Sequence, residues 1–137
     1  MNNVFLPLFT EIAGELRTEY PGIFVTQEWV DIPAQFPCVS IMEADNYVDR
    51  TMMDNTLKEN GTYITLTVTV FSNKQTGKRF ECIEKISFID DLLRVKNAIR
   101  IGRAESYRDS EKKIYMMTAR YRLRCSENAD GSYTFYT

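Results

Sequence analysis

The sequence contains no histidine among its 137 residues. Histidine is the usual general base at neutral pH and the commonest metal ligand, so its absence removes a residue that most hydrolytic mechanisms and most metal sites use. The three cysteines, Cys38, Cys82 and Cys125, are too widely spaced for a zinc site, and each lies among apolar residues. We therefore predict buried thiols and a protein that is not an enzyme, with no cofactor and no metal.

Long apolar runs are also missing. No segment approaches the roughly eighteen apolar residues that a membrane span needs, and the sequence does not begin with a secretory signal. We expect a protein of the cytoplasm, with no membrane partner and no small-molecule substrate. The length fits one domain with one core, residues 1–137.

A Gly-Lys pair at residues 77–78 stands between a predicted strand and a predicted helix, within FSNKQTGKRFEC (71–82). A nucleotide-binding loop has these parts, but it also needs glycine where Ser72 stands and Ser or Thr where Arg79 stands. Ser72 carries a Cβ where the chain must fold tightly, and an arginine cannot bind Mg²⁺. We predict a turn into a helix. A nucleotide-binding module is the alternative.

Hydrophobic periodicity predicts two helices. The first has apolar residues three or four apart from Val4 to Leu16 and ends at Tyr20-Pro21-Gly22. The second has an apolar stripe from Cys82 to Leu93.

Strands are predicted over Ile23–Val30, Phe36–Glu43, Thr62–Phe71, Ala98–Tyr107, Lys113–Cys125 and, as a short edge strand, Tyr133–Tyr136. The short connection between the first two predicts a hairpin. The order α-β-β-β-α-β-β(-β) predicts an α+β domain with a single mixed, mostly antiparallel sheet and both helices packed against it.

The segment Ala44–Asn60 shows no sustained period and is predicted to be a long loop. It carries acidic side chains and a methionine pair, of which Asp45, Asp49, Met52, Met53 and Asp54 are candidate interaction residues. Methionine adapts well to a docking partner, so we expect the loop to be mobile in the free protein and ordered in an assembly. The alternative is a plain surface loop.

Three arginines, Arg120, Arg122 and Arg124, share one face of the last long strand. Spaced guanidinium groups could bind the phosphates of a nucleic acid, with tyrosines stacking on bases. Tyr115 and Tyr121 fall on the opposite face, so we expect the required mixture of arginines and rings to be absent. A nucleic-acid-binding module and a solvated or acid-paired strand face both remain open.

Charge is unevenly distributed along the chain. Residues 1–60 contain three Lys and Arg against ten Asp and Glu, whereas residues 61–137 contain fourteen against nine. The two halves could neutralise each other inside one fold. Alternatively, unlike surfaces of neighbouring copies could meet in a head-to-tail assembly.

Three segments carry a resemblance: YPGIFVTQEWVDIPAQFPCVSIMEADN (20–46), VFSNKQTGKRFEC (70–82) and YMMTARYRLRC (115–125). Together they resemble small virion proteins of long-tailed phages and prophages of Gram-positive bacteria, the minor capsid or tail-completion proteins that are similar to tail terminators. The likeness covers nearly the whole chain and lies in the general residue pattern and in the order of the elements.

The resemblance implies a job in virion assembly. Six copies would form a ring on the last ring of the tail tube, stop its growth and present a surface for head-tail joining. The implied partners are other copies of the chain, the tail tube protein and the head–tail connector, with DNA only passing through the ring. The protein would act in the host cytoplasm and then in the virion. Head-completion and neck connector proteins share the length and the α+β character and are the alternative.

Overall fold

The computed structural model describes residues 3–48, 61–108, 111–128 and 130–136. These ranges form the helices α1 (Phe5–Glu19) and α2 (Lys78–Arg94) and the strands β1 (Phe24–Thr26), β2 (Cys38–Val48), β3 (Thr62–Ser72), β4 (Ile99–Tyr107), β5 (Tyr115–Glu127) and β6 (Tyr133–Tyr136). The predicted class and element order are confirmed. Neither of these two helices is long and apolar enough to cross a membrane.

The strands form a mixed sheet in the order β1-β2-β3-β5-β4, and β6 pairs with β5. The four longest strands pair with their neighbours in antiparallel fashion, while β1 runs parallel to β2. β4 pairs with β5 up to Arg122, and β6 pairs with the remainder of β5 from Arg124 onward. The sheet is therefore mostly antiparallel, as predicted.

Both helices pack on one face of the sheet and share a single core with it. The period of two in β3 sends Ile64, Leu66, Val68 and Val70 into this core, where all four are fully buried. The predicted stripes of α1 and α2 meet them, and burying each large apolar side chain contributes about 1.5 to 3 kcal/mol. The amphipathic pattern thus decides which face of the sheet the helices cover.

The predicted hairpin between the first two strands is wrong. β1 is parallel to β2, with Phe24 beside Cys38, so the connection 27–37 must return to the end of the sheet from which β1 started. β1 is also shorter than the predicted Ile23–Val30. Its last residue, Thr26, accepts a hydrogen bond on Oγ1 from the backbone N–H of Glu28 at 3.2 Å, which forms a turn.

The predicted loop Ala44–Asn60 begins too early. β2 continues to Val48 because its residues 45–48 pair with residues 62–65 of β3. Residues 44–47 are all exposed, so this stretch lacks the alternation of apolar and polar residues that indicates a strand. A β-bulge between Glu43 and Asp45 shifts the register further.

Candidate interaction surface on the open face of the sheet

The face of the sheet turned away from the helices, here called the open face, carries the predicted row of arginines. Along β5, Tyr121 and Leu123 are each 1% exposed, whereas Arg120 and Arg122 are exposed and Arg124 is half-buried. The period of two therefore places the guanidinium groups opposite the core, as predicted.

A cluster of rings and guanidinium groups crosses the open face. The arginine–tyrosine cluster consists of Tyr47, Tyr63, Arg122, Arg124 and Tyr136. The rings of Tyr47 and Tyr63 are stacked, with centroids 5.5 Å apart. The guanidinium carbon of Arg122 lies 4.5 Å from the centroid of Tyr63, and that of Arg124 lies 5.8 Å from Tyr63 and 5.7 Å from Tyr136. Four strands contribute to this one surface.

The expected separation of arginines from aromatic rings is wrong. Tyr115 and Tyr121 do point into the core, but neighbouring strands supply other rings. The register places Tyr63 opposite Arg124, and Tyr47 opposite Tyr63. The pattern of a single strand cannot reveal side chains that its neighbours contribute. Tyr47 and Tyr63 were missed for this reason, and only the pairing of the strands identifies them.

The cluster fixes the orientation of its guanidinium groups. A cation over an aromatic ring contributes about 0.5 to 1 kcal/mol at an exposed site. In addition, Arg122 donates a hydrogen bond from Nη2 to the hydroxyl oxygen of Tyr47 at 2.9 Å. An arginine positioned by such contacts loses less side-chain entropy when a carboxylate or phosphate binds to it.

A cavity of about 230 Å³ adjoins the cluster. It is lined by Tyr63, Arg122, Arg124 and Tyr136 together with Asn97, Ile99 and Leu123. Asn97 is held in place because its Nδ2 donates a hydrogen bond to the carbonyl of Phe135 at 3.1 Å. Pockets for drug-sized ligands measure about 300 to 1,000 Å³, so this cavity suits a single protruding side chain of a partner better than a small-molecule substrate.

The other end of the open face is covered by the chain itself. The ring of Trp29, in the connection 27–37, packs edge-on against Phe71 with centroids 6.3 Å apart, and Phe71 is fully buried. Ser40 donates a hydrogen bond from its hydroxyl to the carbonyl of Glu28 at 2.9 Å. These contacts cover the open face near Phe71 and Ser40, at the end opposite the cluster.

The predicted interaction residues do not all come together. Asp45 is exposed on β2 opposite Thr65, which in turn lies opposite Arg122. Arg120 is exposed between Thr67 and Gly102, outside the cluster. Asp49, Met52, Met53 and Asp54 lie outside the described residues. Among the described residues, the structure therefore brings Arg122 and Arg124 together with aromatic rings.

The Gly-Lys junction is a strand-to-helix turn, as predicted. Gly77 has φ +83°, a left-handed conformation that glycine adopts without strain, and α2 begins at Lys78. The Lys78 ammonium donates a hydrogen bond to the carbonyl of Gln75 at 3.5 Å. The neighbouring Arg79 forms an ion pair with Glu105 of β4 at 3.1 Å, so it ties α2 to the sheet.

The three cysteines are free and buried, as predicted. Burial raises the pKa of Cys38 to about 11 and that of Cys82 to about 12. Both thiols therefore stay protonated at neutral pH and make poor nucleophiles. Within the described ranges, no group of three or more His, Cys, Asp and Glu side chains is placed to hold a metal ion.

Within the described ranges, two ion pairs join the acidic and the basic half of the chain. Lys96 contacts Glu11 at 3.0 Å, and Arg108 contacts Asp31. The other ion pairs of the described residues join groups within the second half. Asp45, from the acidic half, is exposed on β2.

No protein-family model matches the chain, and a search of curated proteins finds no match. The fold, the open face and the charge distribution are the observations from which a function can be argued.

Proposed function

We propose that the protein is a virion structural protein of a long-tailed phage or prophage, a tail terminator or tail-completion protein. Copies join head to tail in a ring at the end of the tail tube, stop tail growth and present the surface for head-tail joining. The mechanism is binding between complementary surfaces, and no bond is made or broken. The resemblance of the three segments and the α+β element order support this proposal.

The observation that carries the proposal is the difference between the two ends of the sheet. One end comes from the acidic first half and carries Glu43 and Asp45 on β2. The other end comes from the basic second half and carries Arg100 and Arg103 on β4, which contact Asp90 and Glu105 of their own subunit at 3.4 and 3.8 Å and whose side chains stay partly exposed. A subunit with unlike charges at opposite ends attracts another copy in a head-to-tail manner, which generates a ring when the rotation closes.

The arginine–tyrosine cluster gives such a ring a surface for its other partners. Interfaces are enriched in tyrosine and arginine, and these residues dominate binding where they are rigidly held. We assign the cluster to contact with the tail tube protein or the head–tail connector.

Electron microscopy of particles that lack this protein tests the proposal. Overlong tails are expected, and restoring the wild-type chain should return them to normal length. Tails of normal length that are not attached to heads would instead identify a head-completion or neck connector protein. Intact particles with normal tails would contradict both assignments.

Binding of single-stranded nucleic acid is a second candidate function, since the arginine–tyrosine cluster brings rings and guanidinium groups together on one face. Base stacking contributes about 1 to 3 kcal/mol per base, and phosphate contacts make affinity depend steeply on salt. Fluorescence anisotropy with a labelled oligonucleotide tests it. Salt-sensitive binding that Arg122→Gln removes, and that Arg17→Gln on α1 leaves intact, would favour this function over the ring.

A further inference from the structure

The strand β4 has an open edge. All nine of its residues are exposed, and the apolar side chains of Ile99 and Ile101 are 66% and 56% exposed. β4 ends the strand order of the sheet, so β5 pairs with one of its edges and no strand of the described residues pairs with the other. Backbone N–H and C=O groups along such an edge are a template for pairing with another strand.

The opposite end of the sheet has a second open edge. β1 covers β2 only from Cys38 to Ser40. Beyond that point, in the part of the chain that the structure describes, no strand lies on the outer side of residues 41–45. This stretch carries Glu43 and the exposed Asp45.

The directions of the two edges suit each other. Three successive antiparallel pairings, β2 with β3, β3 with β5 and β5 with β4, make β4 run opposite to β2. Two copies placed side by side in the same orientation therefore bring β4 of one beside β2 of the next in antiparallel fashion. All the long neighbouring strands of this sheet pair in the same way.

The two edges also carry opposite charges, Glu43 on β2 and Arg103 on β4, although Arg103 contacts Glu105 of its own strand at 3.8 Å. Arg103 on β4 pairs with Ala119, and Glu43 on β2 pairs with Leu66. Ala119 and Leu66 are core residues, so both charged side chains lie on the helix side of the sheet. Each edge also carries a bulge, at Ile101 and at Ala44. Charges and bulges discourage indiscriminate edge pairing, so an edge of opposite charge is favoured over a like one.

We propose that β4 of one copy pairs with the outer part of β2, residues 41–45, of the next copy, so that one sheet continues from subunit to subunit. This joint rests on the proposed function, since it describes how copies in the ring are connected. Pairing covers the exposed Ile99 and Ile101 and satisfies the backbone groups of both edges. It also uses the acidic end of one copy and the basic end of the next.

Cross-linking between introduced cysteines tests the joint. The native thiols are buried, so a short bis-maleimide reagent will react at introduced, exposed positions. In the purified full chain at low salt, Ala44→Cys combined with Ile101→Cys should give a ladder of covalent oligomers on a denaturing gel. Neither single variant should give a ladder. Leu6→Cys combined with Ile101→Cys is the matched control, because Leu6 is exposed on α1, and it should give none.

A second variant pair tests the edge without cross-linking. Ile101→Lys places a charge on the edge of β4 and should abolish the ladder of a second double variant, Ala44→Cys with Ile99→Cys. Leu6→Lys in the same background should leave it unchanged. Circular dichroism establishes that the variants fold.

Two results would overturn the joint. Dimers formed by Ile101→Cys alone would indicate two β4 strands paired about a two-fold axis, and absence of any ladder in the double variants would indicate that these edges do not meet. Neither result decides the proposed function, which the tail-length experiment tests separately. Conversely, a ladder from a protein whose loss leaves tails normal would support the joint and reject the tail assignment.

Discussion

The hydroxyl group of Tyr121 donates a hydrogen bond to Oδ1 of Asp90 at 2.9 Å, where β5 packs against α2. Asp90 also accepts hydrogen bonds from Arg94 at 2.7 Å and from Arg100 of β4 at 3.4 Å. Burial, together with this hydrogen bond, raises the pKa of Tyr121. The Asp90 carboxylate on α2 therefore links the helix layer to β5 and to β4, the strand with the open edge.

Removing this hydroxyl group should lower the stability of the fold. A hydrogen bond to a charged group is worth about 1.5 to 3 kcal/mol, so we expect Tyr121→Phe to lower the free energy of unfolding by about that amount. Urea denaturation measures the difference. Tyr107→Phe on exposed β4 is the control and should change the value by less than about 0.5 kcal/mol. Equal effects of the two variants would contradict the role given to Tyr121.

The stability of the fold should decrease in alkaline solution. The pKa of Cys38 is raised to about 11 in the folded state, while the pKa of an unfolded thiol is about 8.5. Between these values the unfolded chain binds fewer protons, so rising pH favours unfolding. Each such thiol lowers the free energy of unfolding by about 1.4 kcal/mol per pH unit.

Replacing one thiol isolates this effect. Cys38→Ala should be less stable than the wild type at pH 7, but its free energy of unfolding should decline less steeply from pH 9 to pH 11. Urea titrations at several pH values under reducing conditions give the two slopes. Identical slopes for both proteins would show that folding does not raise the pKa of Cys38.

The parts of the fold that the sequence predicts well are those whose burial is one-sided. Apolar residues recur at the period of the element in α1 (Val4 to Leu16), in β3 and in β5, because one face of each element meets the core. The end of β2 could not be predicted from its pattern, since residues 44–47 are exposed and are held by backbone pairing. The parallel pairing of β1 with β2, like the contact of Trp29 with Phe71, joins residues that are distant in the sequence, and local periodicity does not reveal such pairings.

The candidate surface likewise combines residues that the sequence predicts with residues that only the folded sheet brings together. The arginine row is visible in β5 alone, whereas the rings of Tyr47 and Tyr63 reach it through the register of three strands. Local periodicity contains no information about register, so the cluster emerges only in the folded sheet.

Two glycines should respond in opposite directions to the same substitution. Gly77 has φ +83°, so Gly77→Ala should lower the free energy of unfolding by about 1 kcal/mol or more, because a Cβ strains this conformation. Gly14 lies inside α1, and among the described residues no atom beyond its chain neighbours and its own helix backbone lies within 4 Å of an added Cβ. Gly14→Ala should therefore raise the stability by about 0.5 to 1 kcal/mol. Thermal denaturation of both variants checks the signs. A neutral Gly77→Ala would contradict the turn geometry.

The Gly-Lys turn should bind no nucleotide, because Ser72 and Arg79 replace two residues that such a site needs and Arg79 is paired with Glu105. Calorimetric titration with ATP and Mg²⁺ should give no heat of binding. Micromolar binding that disappears in Lys78→Ala would reject this prediction and would turn attention to a nucleotide-dependent function.

Head-to-tail assembly between oppositely charged ends is the central claim, and sedimentation velocity at a series of salt concentrations tests it most directly. Exposed charges are screened over about 8 Å at physiological ionic strength. The protein should form oligomers larger than a dimer at low salt, and these should dissociate as salt is raised. A two-fold dimer that is insensitive to salt, in which like surfaces meet, would contradict the claim.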